Sequence, residues 1–225
     1  MTSNNEYTLQ NVDEPNLYRE QFPYTDLPRV EFDGQTVPMS PAADMWITDT
    51  TFRDGQQARR PYSVEQAAAI YALMSKIDGG SGLIRQCEYF LYSKRDREAV
   101  DACRNQGAEY PQVTGWIRAV RNDFKLVKDM GLAETGILTS CSDYHIFLKL
   151  KKDRKQALEG YMDIVEAALE ADITPRCHFE DVTRADFEGF VIPFARKLME
   201  LREQGDMDVK IRLCDTMGFG VPWAE

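Results

Sequence analysis

Six short apolar runs, each followed by a stretch of helical periodicity, constrain this chain more than anything else in it. The runs lie near residues 46–50, 84–89, 112–117, 135–139, 174–179 and 209–214. Runs of this length suit strands, and the intervening stretches are long enough to cross back over a sheet. Successive strands therefore pair in parallel through helical crossovers, which makes an α/β fold. Strand order by itself leaves two architectures open, a doubly wound sheet or a (β/α)8 TIM barrel. The glycines at 79, 80 and 82 do not form a G-x-G-x-x-G turn, and no G-x-x-x-x-G-K-[ST] loop occurs. The usual nucleotide motifs of doubly wound sheets are missing, and the barrel gains from that absence.

The helical stretches carry their own signals. Ser63 and Gln66 form a capping-box pattern, and Ala67, Ile70, Tyr71, Met74 and Ile77 recur at helical spacing, which predicts an apolar stripe facing a sheet. Leu158, Tyr161, Val165, Ala168 and Leu169 repeat the logic over 153–171. Ser93 and Gly107 bracket a further helix with residues suited to its two ends. Residues 1–44 mix Asn, Asp, Glu and Pro without a sustained period. They read as an irregular N-terminal arm that packs on the domain or on a partner and carries no chemistry, with a single globular domain over 45–225.

With 225 residues, 43% of them hydrophobic, the chain can bury one sizeable core. Its net charge of −10 disfavours a nucleic-acid or anionic-membrane partner, while leaving room for a local basic pocket and a small anionic substrate. No apolar stretch reaches the roughly 18 residues of a membrane span, and Met1–Glu6 lacks the basic flank and apolar run of a secretory signal. A cytoplasmic protein is expected. Cys87, Cys103, Cys141, Cys177 and Cys214 are an odd number without a C-x-x-C pair, which predicts reduced thiols.

Several strand ends carry candidate chemistry. Asp49-Thr50-Thr51-Phe52-Arg53-Asp54-Gly55-Gln56-Gln57 brings a guanidinium, carboxylates and amides together just after the first apolar run. Arg53 and Asp54 read either as a loop-structuring ion pair or as a metal and oxyanion site, in which Asp54 takes a cation such as Mg²⁺ or Mn²⁺ and Arg53 stabilises developing oxygen charge. In Cys177-His178-Phe179-Glu180-Asp181, strand alternation separates Cys177 from His178 but puts His178 and Glu180 on one face. They are either an acid/base dyad or a pair that satisfies itself. His145 follows the fourth strand in a polar loop, as a reactive group or a helix cap, and Glu88 ends the second strand. Thr216, in Asp215-Thr216-Met217-Gly218, suits a ligand carboxylate or a helix cap. Arg85, Arg118, Arg176 and Arg212 lie on or near strands; any that point inward favour a substrate with more than one carboxylate. A zinc site built from Cys141, His145, Cys177 and His178 ranks low, because no thiolate pair has ligand spacing.

In these motifs the chain resembles the metal-dependent barrel family that includes isopropylmalate, homocitrate, citramalate and Re-type citrate synthases together with hydroxymethylglutaryl-CoA lyase. The resemblance covers about 45–225. It rests on Asp49-Thr50-Thr51-Phe52-Arg53-Asp54-Gly55, Ser142-Asp143-Tyr144-His145, Glu180-Asp181-Val182-Thr183-Arg184 and Asp215-Thr216-Met217-Gly218 in that order. It implies a (β/α)8 barrel that uses a divalent metal (Mg²⁺, Mn²⁺ or Zn²⁺) and condenses acetyl-CoA with a 2-oxo acid. By position, Asp54 is implied as a metal ligand, Arg53 as the oxyanion stabiliser and Glu180 as an acid/base group. Gln57, His145 and Thr216 are implied as substrate-pocket groups, and Glu88 as an acidic position that distinguishes members. A homodimer is implied by analogy.

Two departures from the family pattern matter. His178 stands where the synthases commonly carry a small Ser, and the chain ends at Glu225, before the His-x-His metal pair that the family supplies from its seventh strand. The expectation is a barrel cut after about its sixth strand, a segment of a longer enzyme that is poorly stable and inactive by itself. His178 and the strand arginines, Arg118 among them, tilt the substrate towards a dicarboxylic 2-oxo acid, oxaloacetate or 2-oxoglutarate, over the apolar acid of isopropylmalate synthesis. The rivals are a 2-isopropylmalate or citramalate synthase, a non-catalytic barrel remnant that serves as an interaction module, and a zinc-binding structural domain.

Overall fold

The computed structural model describes residues 7–19, 43–205 and 207–220. Most of the expected arm, residues 1–6 and 20–42, lies outside them, as do 221–225. Six strands form one sheet in the order β1-β2-β3-β4-β5-β6: β1 (Ile47–Asp49), β2 (Ile84–Phe90), β3 (Gln112–Ile117), β4 (Glu134–Ser140), β5 (Thr174–Glu180) and β6 (Lys210–Leu213). Between them run α1 (Val64–Asp78), α2 (Lys94–Arg104), α3 (Phe124–Asp129), α4 (Arg154–Glu170) and α5 (Ile192–Gln204). The described pairings β1·β2, β2·β3, β3·β4 and β5·β6 are all parallel. A doubly wound sheet reverses its strand order at a switch point, whereas this order never reverses, which is the order of a (β/α)8 barrel.

Two compact units make up the chain. The β1–β3 unit comprises residues 42–137 and 167–175, and the β5–β6 unit comprises the described residues within 1–41, 138–166 and 176–225.

In the β1–β3 unit, α1 begins at Ser63, whose hydroxyl accepts from Gln66 N–H while the Gln66 side chain accepts from Ser63 N–H. This is the capping box read from the sequence. Ser93 and Asp96 do the same for α2, and Gly107 follows that helix at φ +70°. Ala67, Tyr71 and Met74 are buried as the stripe predicts, but Ile77 is 77% exposed. Asp78 turns inward in its place, because its carboxylate accepts from Gly82 N–H, Ile84 N–H and the Ser81 hydroxyl and so closes the turn that feeds β2. Phe52 stacks on Tyr89 at 4.5 Å, and Tyr71 donates to Pro111 O, anchoring α1 to the turn before β3.

The β5–β6 unit has its own aromatic core. Phe179 stacks on Phe194 at 4.7 Å, with Tyr161 and Phe190 against the same ring. Fully burying a ring of this kind stabilises by roughly 1.5–3 kcal/mol. Two π-helical turns, Tyr144–Lys149 and Phe187–Val191, follow β4 and precede α5. Among the described residues no helix is long and apolar enough to cross a membrane.

Candidate active-site clusters

The sequence-predicted site residues gather in two clusters, one in each unit. In the β1–β3 unit, Asp49 ends β1 by folding its carboxylate onto Thr51, accepting from the backbone N–H at 2.9 Å and the hydroxyl at 3.0 Å. The next turn is tied by Arg53 N–H and Gly55 N–H, both donating to Thr50 O. Gln56 stitches the loop further, donating to Phe52 O and accepting from Tyr62 N–H. These bonds fix where Arg53 points. Its Nη2 lies 2.8 Å from Asp54 Oδ2, and its Nε lies 2.7 Å from Oε2 of Glu88, which is fully buried on β2. The Nε contact is an ion pair whose N–H is not aimed along the oxygen's axis. The guanidinium also sits 4.8 Å above the Trp116 ring. Trp116 belongs to β3, whose Thr114 pairs in register with Glu88. A guanidinium between two carboxylates and an aromatic face is held rigidly, as a preorganised donor must be.

Two further expected residues lie in this unit without joining that cluster. Gln57 is exposed at the end of the loop's 3₁₀ turn, where its N–H donates to Asp54 O. Arg118 follows β3 at the surface, forked onto Asp123 at 2.9 and 3.0 Å and close over Tyr92.

The second cluster surrounds Glu180, the last residue of β5. His145 Nδ1 lies 3.0 Å from Glu180 Oε2, Lys149 Nζ lies 3.1 and 3.2 Å from the two carboxylate oxygens, and the Ser140 hydroxyl donates to the same carboxylate. Burial raises the carboxyl pKa, but the hydrogen bonds from His145, Ser140 and Lys149 outweigh it and hold the group down to about 2. Asp181, fully buried, adopts a left-handed backbone at φ 61°, which Asp tolerates better than most residues. That turn lets Arg184 fork onto its carboxylate and Ser142 donate to it, while the Asp181 N–H donates to Thr216 Oγ1 at 2.8 Å. Thr216 therefore links the ends of β5 and β6. His178 shares the Glu180 face of β5 as alternation requires, but lies deeper and is buried. Arg176 Nε is 3.4 Å from its Nε2, and Cys214 Sγ is 3.9 Å from its Nδ1.

The described part of the arm packs on this unit. Arg154, 1% exposed, forks onto Asp143 at 2.8 Å through both Nε and Nη2. Its Nη1 reaches Asp186 at 2.9 Å and the Gln10 carbonyl at 3.2 Å. Asn16 N–H donates to the same Asp143 carboxylate, and Gln10 N–H donates to Gly189 O. Tyr144, beside His145, is flanked by the guanidinium groups of Arg19 and Arg184. Tyr18 is pushed up to about 12, by burial first and by Asp186 next. The residues 7–19 thus grip the turn that carries His145.

Ser140, Lys149, Asp181 and Trp116 are members of these clusters that sequence reasoning did not single out. Lys149 stands four residues after His145, a helical spacing that was available as a signal. Trp116 and Ser140 become neighbours of the site only through strand register, which the sequence does not print. As for a metal, Asp54 is a half-exposed oxygen donor, but among the described residues no group of three or more His, Cys, Asp or Glu could hold an ion. These residues do not make a metal shell.

A family model described as HMGL-like matches residues 44–224. The chain is 60% identical over 217 residues to the Citrate (Re)-synthase of Syntrophus aciditrophicus, covering 96% of this chain and 34% of that protein. It is 50% identical to the Citrate (Re)-synthase of Clostridium kluyveri, over 97% of this chain and 48% of that one. A 2-phosphinomethylmalate synthase of Streptomyces hygroscopicus is 38% identical, over 96% of this chain and 50% of its own length. The chain thus spans between a third and a half of these curated relatives. Among solved structures, the HMG-CoA lyase of Brucella melitensis aligns with a TM-score of 0.58 at 17% identity, over 80% of this chain and 64% of the lyase, a likeness of fold.

Proposed function

We propose, from the premise that this chain belongs to the HMGL-like family, that its protein condenses acetyl-CoA with a 2-oxo acid, and that the acid is oxaloacetate, as in a Re-type citrate synthase. The observation that carries this is the 60% and 50% identity, over nearly all of the chain, to two proteins named Citrate (Re)-synthase. The protein is then a carbon–carbon bond-forming acyltransferase that works in the cytoplasm, and a homodimer by analogy with its family.

Each cluster has a role in this proposal. Arg53, held by Asp54, Glu88 and the Trp116 ring, donates to the oxygen on which negative charge develops during carbon–carbon bond formation. His145 carries the proton. Glu180 orients the imidazole rather than acting as the base, because a carboxylate held near pKa 2 by three donors has little affinity for a proton at neutral pH. Asp181 and Thr216 fix the turn beneath that pair. Of the remaining candidates, Arg118 is held at the surface by Asp123 and His178 is buried deeper on β5 than Glu180, so the choice of a dicarboxylic acid rests on the relatives rather than on these groups. Asp54 is one oxygen ligand for a divalent cation. Because the described residues do not complete a metal shell, no step here passes through the metal.

The test is to incubate the protein that carries this chain with acetyl-CoA, Mn²⁺ and, separately, oxaloacetate, 2-oxoglutarate, 2-oxoisovalerate and pyruvate, reading free CoA thiol. Release with oxaloacetate, lost in Arg53→Ala and in His145→Ala, is the expected result. Release with 2-oxoisovalerate and none with oxaloacetate would overturn the substrate assignment.

A further inference from the structure

The loop after Arg53 and Asp54 builds a second feature in the β1–β3 unit. Arg59 and Arg60 on that loop and Arg95 in the first turn of α2 line an open cleft of about 510 Å³, together with Tyr62, Ser63 and Gln66. No carboxylate lines it. All three arginines are exposed, and among the described residues neither Arg60 nor Arg95 forms an ion pair. Arg59 is already positioned, since its guanidinium stacks 4.3 Å over the Tyr62 ring and donates to the Tyr62 hydroxyl at 3.0 Å. Tyr62 in turn meets the buried Phe52 ring edge-on, and its N–H donates to Gln56, so the loop is anchored to the core of its unit.

The first-turn carboxylates of α1 and α2, Glu65 and Asp96, do not line the cleft. Glu65 lies in the first turn of α1, and the neighbouring Ser63 hydroxyl holds its carboxyl below the usual range. Asp96 accepts from Ser93 N–H in the capping box of α2. A chain of net charge −10 therefore gathers three guanidinium groups around one hollow without counter-charge. Their mutual repulsion is relieved by a bound anion. Guanidinium forks match phosphoryl oxygens, and three around a hollow of this size call for more than one phosphoryl group.

We infer that this cleft binds the diphosphate group of a ligand through Arg59, Arg60 and Arg95. Two kinds of molecule carry that chemistry, the coenzyme A portion of the proposed co-substrate and a free nucleoside diphosphate acting as an effector. The assignment stands on the lining of the cleft and is independent of the condensation proposed above.

Inorganic pyrophosphate is the first probe, titrated calorimetrically into the protein at low salt, with Arg60→Gln and Arg95→Gln single and double variants alongside. Saturable binding is expected, weakened about tenfold by each substitution because each removes charge-assisted hydrogen bonds. These side chains are exposed, so far-UV circular dichroism should be unchanged. Competition then names the source. Displacement of pyrophosphate by CoA but not by ADP identifies the co-substrate, and displacement by ADP but not by CoA identifies an effector. Absence of saturable binding, or equal affinity in the wild type and the double variant, overturns the proposal. Pyrophosphate binding in a protein that releases no CoA thiol from any 2-oxo acid would sink the condensation while leaving the cleft intact.

Discussion

His145 Nδ1 and Glu180 Oε2 stand 3.0 Å apart, one on a π-helical turn after β4 and the other on the last residue of β5. The pair has a pH signature. Glu180 titrates at about 2 in the fold against 4.5 as its ordinary value, so the folded state holds the carboxylate more strongly than the unfolded chain does. Its contribution to stability is complete above about pH 4.5 and is lost as pH falls towards 2. Urea melts of the wild type and Glu180→Gln should differ most near neutral pH and converge over that window. A gap that stays constant down to pH 2.5 would contradict the geometry.

Arg154 is predicted to be the most sensitive cation in the β5–β6 unit. Replacing it with Met leaves Asp143 and Asp186 facing each other without their shared guanidinium, and breaking a buried pair of this kind costs about 3–5 kcal/mol. Arg154→Lys should recover little, because an ammonium cannot fork onto Asp143 while also reaching Asp186. Denaturant midpoints of the two variants check this, and hydrogen exchange should show both residues 7–19 and the turn 144–149 exchanging faster.

In the other unit, Arg53→Met should cost stability as well as activity, since Glu88 has no exposure to water and Arg53 lies against its carboxylate. A loss of about 3 kcal/mol is expected. Adding Glu88→Gln should return part of that loss without restoring activity, which a double-mutant cycle in urea would reveal. A double variant whose cost equals the sum of the two single costs would mean that the two side chains do not interact.

Thiol reactivity should be sharply graded. Burial pushes Cys177 up to about 12 and raises Cys87, Cys103 and Cys141, all of which are enclosed, while Cys214 is half-buried. Brief alkylation of the native protein at pH 8 followed by peptide mapping should label Cys214 first. The other four should react only on unfolding.

Much of the fold was legible because its signals are local. Ser63 with Gln66 and the strand-length runs depend on near neighbours in the chain, and all six strands lie within a residue or two of where periodicity put them. Ile77 misled because its spacing was right while the competing demand, two loop N–H groups and a hydroxyl needing the Asp78 carboxylate, came from residues further along. For the candidate site, Arg53, Asp54, His145 and Glu180 stood out as polar groups at strand ends. Their partners did not. Ser140 reaches Glu180 across 40 residues, and Asn16 reaches Asp143 across 127, so no window of sequence contains either pair. The arm's contacts were hard to read because several of them run through backbone groups, Gln10 O and Asn16 N–H, which carry little mark of residue type.

The π-helical turn at Tyr144–Lys149 gives the chain one residue of slack between β4 and α4. Leu150 N–H bonds to His145 O, five residues back, so the turn holds one residue more than an α-helix would need. Deleting a single residue after His145 would convert that bond to the ordinary i→i+4 pattern and leave the residues on either side of the turn facing nearly as they do now. In natural or engineered variants of this chain, a one-residue deletion in this segment should therefore be tolerated where a substitution of His145 is not.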